Sequence, residues 1–331
     1  MGYSKSVYKK AADRLFEQRQ LAQKQAEARR EEIYSRLPRV RELEQQIALC
    51  GSEAVRTVLR GGDAAAEMAK LRDKNLALQA ELRELLVSNG YDQDVLEPRY
   101  LCKKCDDTGY VEAHGRTVVC TCLKRLLTTV ACEELNRTAP LKLCTFESFD
   151  TDSYSQTPDP DTGMVPRRHM EKILKYCQSY AQNFTPQSNS ILMKGATGLG
   201  KTHLSLAIAN EVIRRGYSVI YASAPEIFMK MEKEHFSREA ADTTFDSLLD
   251  CDLLIIDDLG TEFKTAFTTA QVYNLFNSRV LQGKPLIINT NLTMAQLERE
   301  YSNRFVSRVN GAAQKLDFLG EDQRIARKQV N

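Results

Sequence analysis

Eight residues, from Gly195 to Thr202, most constrain what this chain can fold into. They read Gly-Ala-Thr-Gly-Leu-Gly-Lys-Thr and match the pattern G-x-x-x-x-G-K-[ST]. An apolar run at 191–193 precedes them and an apolar-rich stretch at 204–209 follows, so the pattern predicts a strand, a tight loop and a helix. The glycines let backbone N–H groups turn inward, and the following helix adds its positive N-terminal end. The predicted phosphate-binding residues are Gly195, Ala196, Thr197, Gly198, Leu199, Gly200, Lys201 and Thr202.

The last two residues of this loop carry its chemistry. Lys201 is expected to contact the β- and γ-phosphates of a bound ATP, and the Thr202 hydroxyl is expected to ligate Mg²⁺. The alternative interpretation is a glycine-rich turn that binds nothing. The complete motif, in its strand–helix context, disfavours that alternative.

Four short apolar runs in the C-terminal half are predicted strands, separated by helical patterns. They cover 190–194, 218–222, 252–256 and 285–289. Apolar strands alternating with helices are typical of an α/β fold whose parallel sheet is covered on both faces. The third run leads directly into Asp257 and Asp258, at the end of the strand where such sheets bind ligands.

Asp257 and Asp258 are predicted to have different roles. Asp257 is expected to hold Mg²⁺, commonly through water, together with Thr202. Asp258 is expected to orient and deprotonate the attacking water as a general base. The alternative is that both aspartates only end a strand in a turn.

Three further polar residues are candidates for catalysis. Asn291 follows the fourth predicted strand and is expected to sense the γ-phosphate or position water; we favour it over Asn289, although asparagine often ends strands. Arg304 and Arg308 lie four residues apart, on one face of a helix. An arginine supplied by a neighbouring subunit stabilises phosphoryl transfer, so such a role for Arg308 would make hydrolysis depend on oligomerisation. The alternative is surface arginines in ion pairs, and for Arg304 the two interpretations are equally supported.

Four cysteines in two close pairs predict a structural zinc site. Cys102, Cys105, Cys120 and Cys122 lie within 21 residues and flank a predicted β-hairpin. Zinc is bound well by four thiolates in a tetrahedron, and such a site supplies folding free energy to a small unit. Because four protein ligands fill every coordination position, the predicted site is structural and not catalytic. Redox pairing is the alternative, disfavoured because no thioredoxin-like pattern surrounds the pairs. His114, between the pairs, is expected to be an exposed loop residue, and the other five cysteines are expected to be small apolar residues.

The N-terminal region is predicted to be helical. Residues 5–36 carry strong helix formers without Gly or Pro, Pro38 ends this pattern, and Gly51 and Gly61-Gly62 are expected to break the next one. A heptad pattern then predicts one helix of an antiparallel hairpin, through Met68, Leu71, Asn75, Leu78, Leu82 and Leu85. The pattern is compatible with a partner-binding surface and with a structural spacer.

Composition narrows the class of protein. The 331 residues predict two or three domains, and 42% hydrophobic with 27% charged residues is typical of a soluble protein. No apolar run approaches the roughly 18 residues of a membrane span. The N-terminus lacks the apolar region of an export signal, and with nine cysteines this predicts a reducing, cytoplasmic location and metal rather than disulfides. The net charge of +2 indicates no particular partner.

With these motifs in place, the chain resembles the bacterial replicative helicase loaders of the DnaC/DnaI type, in the AAA+ ATPase superfamily. The resemblance covers about 166–331 and rests on 195–202, 254–262, 285–292 and Ser307-Arg308. It implies an AAA+ domain with a central parallel sheet and little or no lid, using ATP and Mg²⁺ in slow, oligomer-dependent hydrolysis. Residues 318–324 are similar to the C-terminal segment of the family, in which Arg324 is expected to approach the nucleotide.

The resemblance also implies an organisation and partners. The expected parts are a helicase-binding helical region at 1–98, a four-cysteine zinc module at 99–128, a linker at 129–165 and the AAA+ domain at 166–331. Such a loader would bind a hexameric replicative helicase and single-stranded DNA, self-associate, and act without a membrane. Phe263 and Lys264 are candidate DNA contacts.

Two alternatives stay open. An IstB-type transposition helper shares the ATPase half but is not expected to carry the cysteine cluster. A nucleotide-gated adaptor with negligible turnover is the other, because glutamate is more usual in this superfamily at the position of Asp258.

Overall fold

The chain forms two compact units. The computed structural model describes residue 3 and residues 5–60, 64–113, 115–138, 141, 144–236 and 243–323. One unit is Ala12–Leu123, and the other consists of Met1–Ala11 with Lys124–Asn331. Helix α1 (Lys5–Arg36) and helix α4 (Thr121–Leu135) each contribute residues to both units.

Three helices dominate the first unit. After α1 come α2 (Pro38–Arg60) and α3 (Ala64–Ser88). Pro38 is the first residue of α2, where the missing N–H of proline costs nothing. Leu43 and Cys50 on α2 are buried against Leu78 on α3, and Arg39 pairs with Glu81 at 2.8 Å. The pairing confirms the antiparallel hairpin that the heptad predicts.

The prediction that Gly51 would break a helix is wrong. Helix α2 continues through Gly51 to Arg60. A glycine inside a helix costs about 1 kcal/mol relative to alanine, and burial of the neighbouring Cys50 against α3 offsets that cost. Gly61-Gly62 lies outside the described residues.

A small β-hairpin follows. Strands β1 (Tyr110–Ala113) and β2 (Arg116–Val119) pair antiparallel, with Tyr110 opposite Val119. Two strands of four residues bury too little apolar surface to be stable alone. The hairpin therefore needs further stabilisation from its surroundings.

The second unit is built on a five-stranded sheet. Its strands are β3 (Ser190–Lys194), β4 (Val219–Ser223), β5 (Leu253–Leu259), β6 (Leu286–Thr290) and β7 (Ala313–Asp317). They are all parallel, in the order β4-β5-β6-β3-β7. The first four begin within one residue of the predicted positions. Strand β7 was not predicted because it lies at an edge and mostly carries exposed polar side chains.

Helices cover both faces of this sheet. They are α5 (Pro166–Gln182), α6 (Lys201–Arg214), α7 (Ala224–Phe236), α8 (Thr243–Asp250), α9 (Ala266–Leu281), α10 (Met294–Tyr301) and α11 (Asn303–Ala312). Alternate strand residues enter opposite cores: Ile220 and Leu254 pack with α7 and α9, whereas Val219 and Ile255 pack with α5 and α6. The α/β fold with a central parallel sheet is confirmed.

Beyond β7 the structure describes residues 318–323. Among the described residues, no helix combines the length and the apolarity needed to cross a membrane.

Candidate nucleotide site and cysteine cluster

The predicted phosphate loop connects β3 to α6. Lys201 is the first residue of α6, and Gly200 precedes it with φ at 86°. A Cβ at Gly200 would lie 2.6 Å from the Phe149 ring and 3.1 Å from the Tyr154 hydroxyl. Glycine is therefore required there both by the left-handed backbone and by the space available.

Lys201 is held inside the loop. It is 5% exposed, and its Nζ donates to the carbonyls of Gly195 at 2.7 Å and Ala196 at 2.6 Å. It also donates to Asn291 Oδ1 at 2.7 Å. The residue predicted at the tip of β6 is thus brought to the loop.

Asp257 and Thr202 meet at the end of β5. Asp257 is 3% exposed, and the Thr202 hydroxyl donates to its Oδ2 at 2.9 Å. These hard oxygen donors fit Mg²⁺. Asn289 Nδ2 donates to Asp257 Oδ1 at 2.8 Å, and the Tyr221 hydroxyl donates to Oδ2.

Tyr221 stays a hydrogen-bond donor at ordinary pH. Burial, and then the negative charge of Asp257, raise the pKa of its hydroxyl well above the usual value. Tyr221 was not predicted as a site residue, and Asn289 was ranked below Asn291, because their contacts with Asp257 depend on which strands are neighbours.

Asp258 differs from Asp257 in its exposure and in its backbone conformation. Its side chain is exposed, and its backbone is left-handed, with φ at 54°. It lines the same cavity as Lys201 and Asn291. A carboxylate that faces a solvent-open cavity can contact water, which its predicted role requires.

The cavity beside the loop has a volume of about 340 Å³. It is lined by Cys144, Phe149, Asp150, Ser153, Tyr154, Thr197, Gly198, Gly200, Lys201, Thr202, His203, Asp258, Asn291 and Gln323. The first five were not predicted as site residues, because they lie within 129–165, which was expected to be a linker. The aromatic residues Phe149 and Tyr154 in that segment were the signal available, and both are buried in the core of this unit.

The segment after β7 lies against the loop. The backbone N–H of Phe318 donates to the Lys194 carbonyl at 2.7 Å, and the backbone N–H of Gln323 donates to the Gly198 carbonyl at 3.1 Å. A Cβ at Gly198 would lie 1.9 Å from Asp322 Oδ1. The predicted residue Arg324 lies outside the described residues.

Arg304 and Arg308 are not brought to this cavity. Both are exposed on α11 and line a separate cleft of about 440 Å³, with Tyr273, Asn303 and Ser307. Their shared helical face agrees with the sequence prediction. Of the candidate DNA contacts, Phe263 is 85% exposed and Lys264 pairs with Glu300.

The four predicted zinc ligands converge at the base of the hairpin. Their sulfur atoms all lie within 4.8 Å of one another, with Cys102 and Cys120 at 3.8 Å and Cys105 and Cys122 at 3.3 Å. Four sulfurs around zinc, at bonds of about 2.3 Å, lie roughly 3.8 Å apart, so the cluster fits zinc. His114 lies outside the described residues.

Neighbouring groups fix the backbone of this cluster and shift the pKa values of its thiols. The buried Asp107 carboxylate accepts hydrogen bonds from the backbone amides of Leu101 at 2.9 Å and Cys102 at 2.8 Å, which fixes the backbone at the first cysteine. The backbone N–H of Cys122 lowers the pKa of the Cys120 thiol to about 6, whereas burial raises the pKa of Cys122. The hydrogen bond to Cys120 favours its thiolate, the form that binds metal.

Comparison with known proteins identifies the family. The family of IstB-like ATP binding proteins matches residues 137–324, more than half of the chain. The chain therefore belongs to the IstB/DnaC-like AAA+ ATP-binding family, and the resemblance stated from its motifs is confirmed.

Individual relatives cover different shares of the chain. It is 29% identical over 267 residues to the phage-like element PBSX protein XkdC of Bacillus subtilis, covering 73% of this chain and 94% of that protein. It is 27% identical over 138 residues to the replicative helicase loader DnaC of Escherichia coli, covering 41% of this chain and 56% of DnaC. A crystal structure of the DnaC helicase loader aligns with a TM-score of 0.46 at 19% identity, over 55% of this chain and 100% of that chain.

Proposed function

We propose that this protein is an ATP-dependent loader that binds a hexameric replicative helicase and single-stranded DNA and couples ATP binding and hydrolysis to helicase delivery. The observation that carries the proposal is that a single chain joins the nucleotide site to a helical unit with a four-cysteine cluster. The similarity to DnaC, named a replicative helicase loader, supports it.

In the proposed reaction, the chain positions ATP for attack by water. The amides of the loop and Lys201 bind the phosphates, and Asp258 orients water and accepts its proton. Asn291, bonded to Lys201 at 2.7 Å, positions the γ-phosphate. Mg²⁺, held by Thr202 and Asp257, would neutralise charge on the phosphate oxygens.

Hydrolysis is proposed to need a second subunit. Arg308, with Arg304 beside it, is exposed in a cleft away from its own nucleotide cavity, as an arginine acting on a neighbouring subunit must be. A guanidinium placed in this way stabilises the charge of the transition state. The protein would therefore act as an oligomer with slow turnover.

The remaining parts are assigned as proposals. Residues 1–98 would bind the helicase, and 99–128 would fold around structural zinc. Residues 129–165 would link the zinc module to the ATPase domain at 166–331, which would bind ATP. The exposed ring of Phe263 is suited to stacking on a base of single-stranded DNA. The proposed place of action is the cytoplasm.

The test is the mass of complexes formed by the full-length protein with the replicative helicase of its host, with and without ATP. We expect a discrete, stoichiometric assembly, and we expect Cys102→Ala to weaken it while Cys177→Ala, on α5 and outside both the cluster and the nucleotide cavity, leaves it intact. No assembly under either condition would contradict the loader proposal.

A transposition helper is the second candidate, because the matching family is described as IstB-like. If the helicase is not bound, mixing the protein with a transposase tests this candidate directly. Stable helicase binding with no measurable ATP hydrolysis would instead indicate a nucleotide-gated adaptor.

A further inference from the structure

The carboxylate of Asp257 is held between the two strands that flank its own. Strand β5 lies between β4 and β6 in the sheet. From β4, the Tyr221 hydroxyl donates to Oδ2, and from β6, Asn289 donates to Oδ1 at 2.8 Å. Tyr221 thus adds a hydrogen bond from a strand that belongs to no nucleotide-binding motif.

Strand β4 is an edge strand, and a side chain outside the sheet fixes it. Asn136 follows α4 in a short 3-10 helix, Asn136–Thr138. Its Nδ2 donates to the Val219 carbonyl at 2.6 Å, and its Oδ1 accepts the Tyr221 amide at 2.7 Å. The side-chain amide therefore pairs with the strand edge as a neighbouring strand would.

These contacts form a continuous line from Asn136 through the backbone and hydroxyl of Tyr221 to Asp257. We propose that Tyr221 is a positioning residue for the magnesium-ligating carboxylate, and that Asn136 sets the position of Tyr221 by pairing with the edge of β4. The inference rests on the proposed Mg²⁺-dependent nucleotide site.

The physical reason is geometric. Mg²⁺ requires ligands in a nearly ideal octahedron, so the orientation of a ligating carboxylate matters. Outer groups that orient such ligands typically change metal affinity by 10- to 100-fold when they are removed. Loss of the Tyr221 hydroxyl should therefore lower the gain in ATP affinity that Mg²⁺ provides. It should not change the ATP affinity that the phosphate loop provides without Mg²⁺.

The experiment measures ATP affinity of the full-length protein over a Mg²⁺ titration and in EDTA. For Tyr221→Phe we expect EDTA affinity within about twofold of wild type and a roughly tenfold higher Mg²⁺ requirement. Asn136→Ala should shift the titration in the same direction, and its effect should disappear when Tyr221→Phe is already present, because both act through one contact.

Tyr180→Phe is the matched control. Its hydroxyl also donates within the second unit, but to the Asn189 carbonyl at 2.8 Å, so its titration should match wild type. Identical titrations for Tyr221→Phe and wild type would overturn the inference. Equal losses with Mg²⁺ and in EDTA would overturn it too, since they indicate a general structural role.

Thermal unfolding of each variant monitors folding. If Tyr221→Phe does not fold, Asn136→Ala carries the test, because it leaves the hydroxyl in place. An Asn136→Ala titration equal to that of wild type would overturn the inference. Failure of the proposed nucleotide site would give a different result from failure of this inference. In that case the wild-type protein would not bind ATP, or Lys201→Ala would bind ATP as tightly as the wild type.

Discussion

Gly200 has no room for a side chain in the phosphate loop. Its φ is 86°, and a Cβ would lie 2.6 Å from the Phe149 ring. We expect Gly200→Ala to lower the free energy of unfolding by about 2–4 kcal/mol, combining a left-handed alanine with a clash, and to weaken ATP binding. Denaturant titration and ATP affinity are the measurements.

Gly216 separates the two contributions. Its φ is 87°, almost the same, but a Cβ there would meet nothing within 4 Å. Gly216→Ala should therefore cost only about 1–2 kcal/mol, the backbone part, with ATP affinity unchanged. Equal losses at the two positions would show that the contact with Phe149 is unimportant.

Among the elements, α9 carries an arginine that joins three others. Arg279 is 0% exposed, and its guanidinium donates to the carbonyls of Leu248 at 2.6 Å and Cys251 at 3.1 Å, at the end of α8. The guanidinium also donates to the backbone carbonyls of Asp252 at 3.3 Å and Pro285 at 2.6 Å, the residues directly before β5 and β6. One side chain thus aligns the two strands that deliver Asp257 and Asn291.

Replacing Arg279 should therefore be costly. We expect Arg279→Met to lower the free energy of unfolding by about 2–4 kcal/mol, because several buried carbonyls lose their donors. Arg214→Met is the control: Arg214 is exposed and pairs with Glu211, so its loss should cost less than about 1 kcal/mol. Chemical denaturation compares them, and similar values would contradict the proposed role.

The hairpin formed by β1 and β2 should depend on metal. Because its strands are too short to be stable alone, we expect one zinc per chain, and faster hydrogen exchange of the hairpin amides after chelation. Cys102→Ser should lower the zinc content, and Cys144→Ser should not. A zinc-free protein with protected hairpin amides would disprove the assignment.

For the whole molecule, the testable property is cooperation between subunits. Arg308→Ala should bind ATP normally but reduce hydrolysis by about a thousandfold, the usual scale for an arginine supplied in trans. Lys201→Ala should bind no ATP yet keep its Arg308. Mixing the two inactive variants should restore part of the hydrolysis, because intact sites then face intact arginines.

Arg299→Ala is the control for this mixing. Arg299 is exposed and pairs with Glu300 at 3.6 Å, so its removal should leave hydrolysis unchanged. Wild-type hydrolysis by Arg308→Ala alone would rule out the proposed role of Arg308. No recovery on mixing would argue against contact of Arg308 with the nucleotide of a neighbour.

The sequence by itself determined the features that are local in the chain. The phosphate loop, the acidic pair, the four apolar strands and the cysteine pairs were predictable, because each is a short pattern whose spacing reflects a single element or turn. The structure brings Lys201 to Asn291 and Thr202 to Asp257.

Only the tertiary structure decided what surrounds these motifs. Tyr221 and Asn289 reach Asp257 because β4 and β6 flank β5, and strand order is not written in any local pattern. Phe149 and Tyr154 line the cavity although they lie within 129–165, which was expected to be a linker, because the fold buries both side chains against the phosphate loop. Helix α2 passes through Gly51 for the same reason: packing between distant segments contributes more free energy than the preference of one residue.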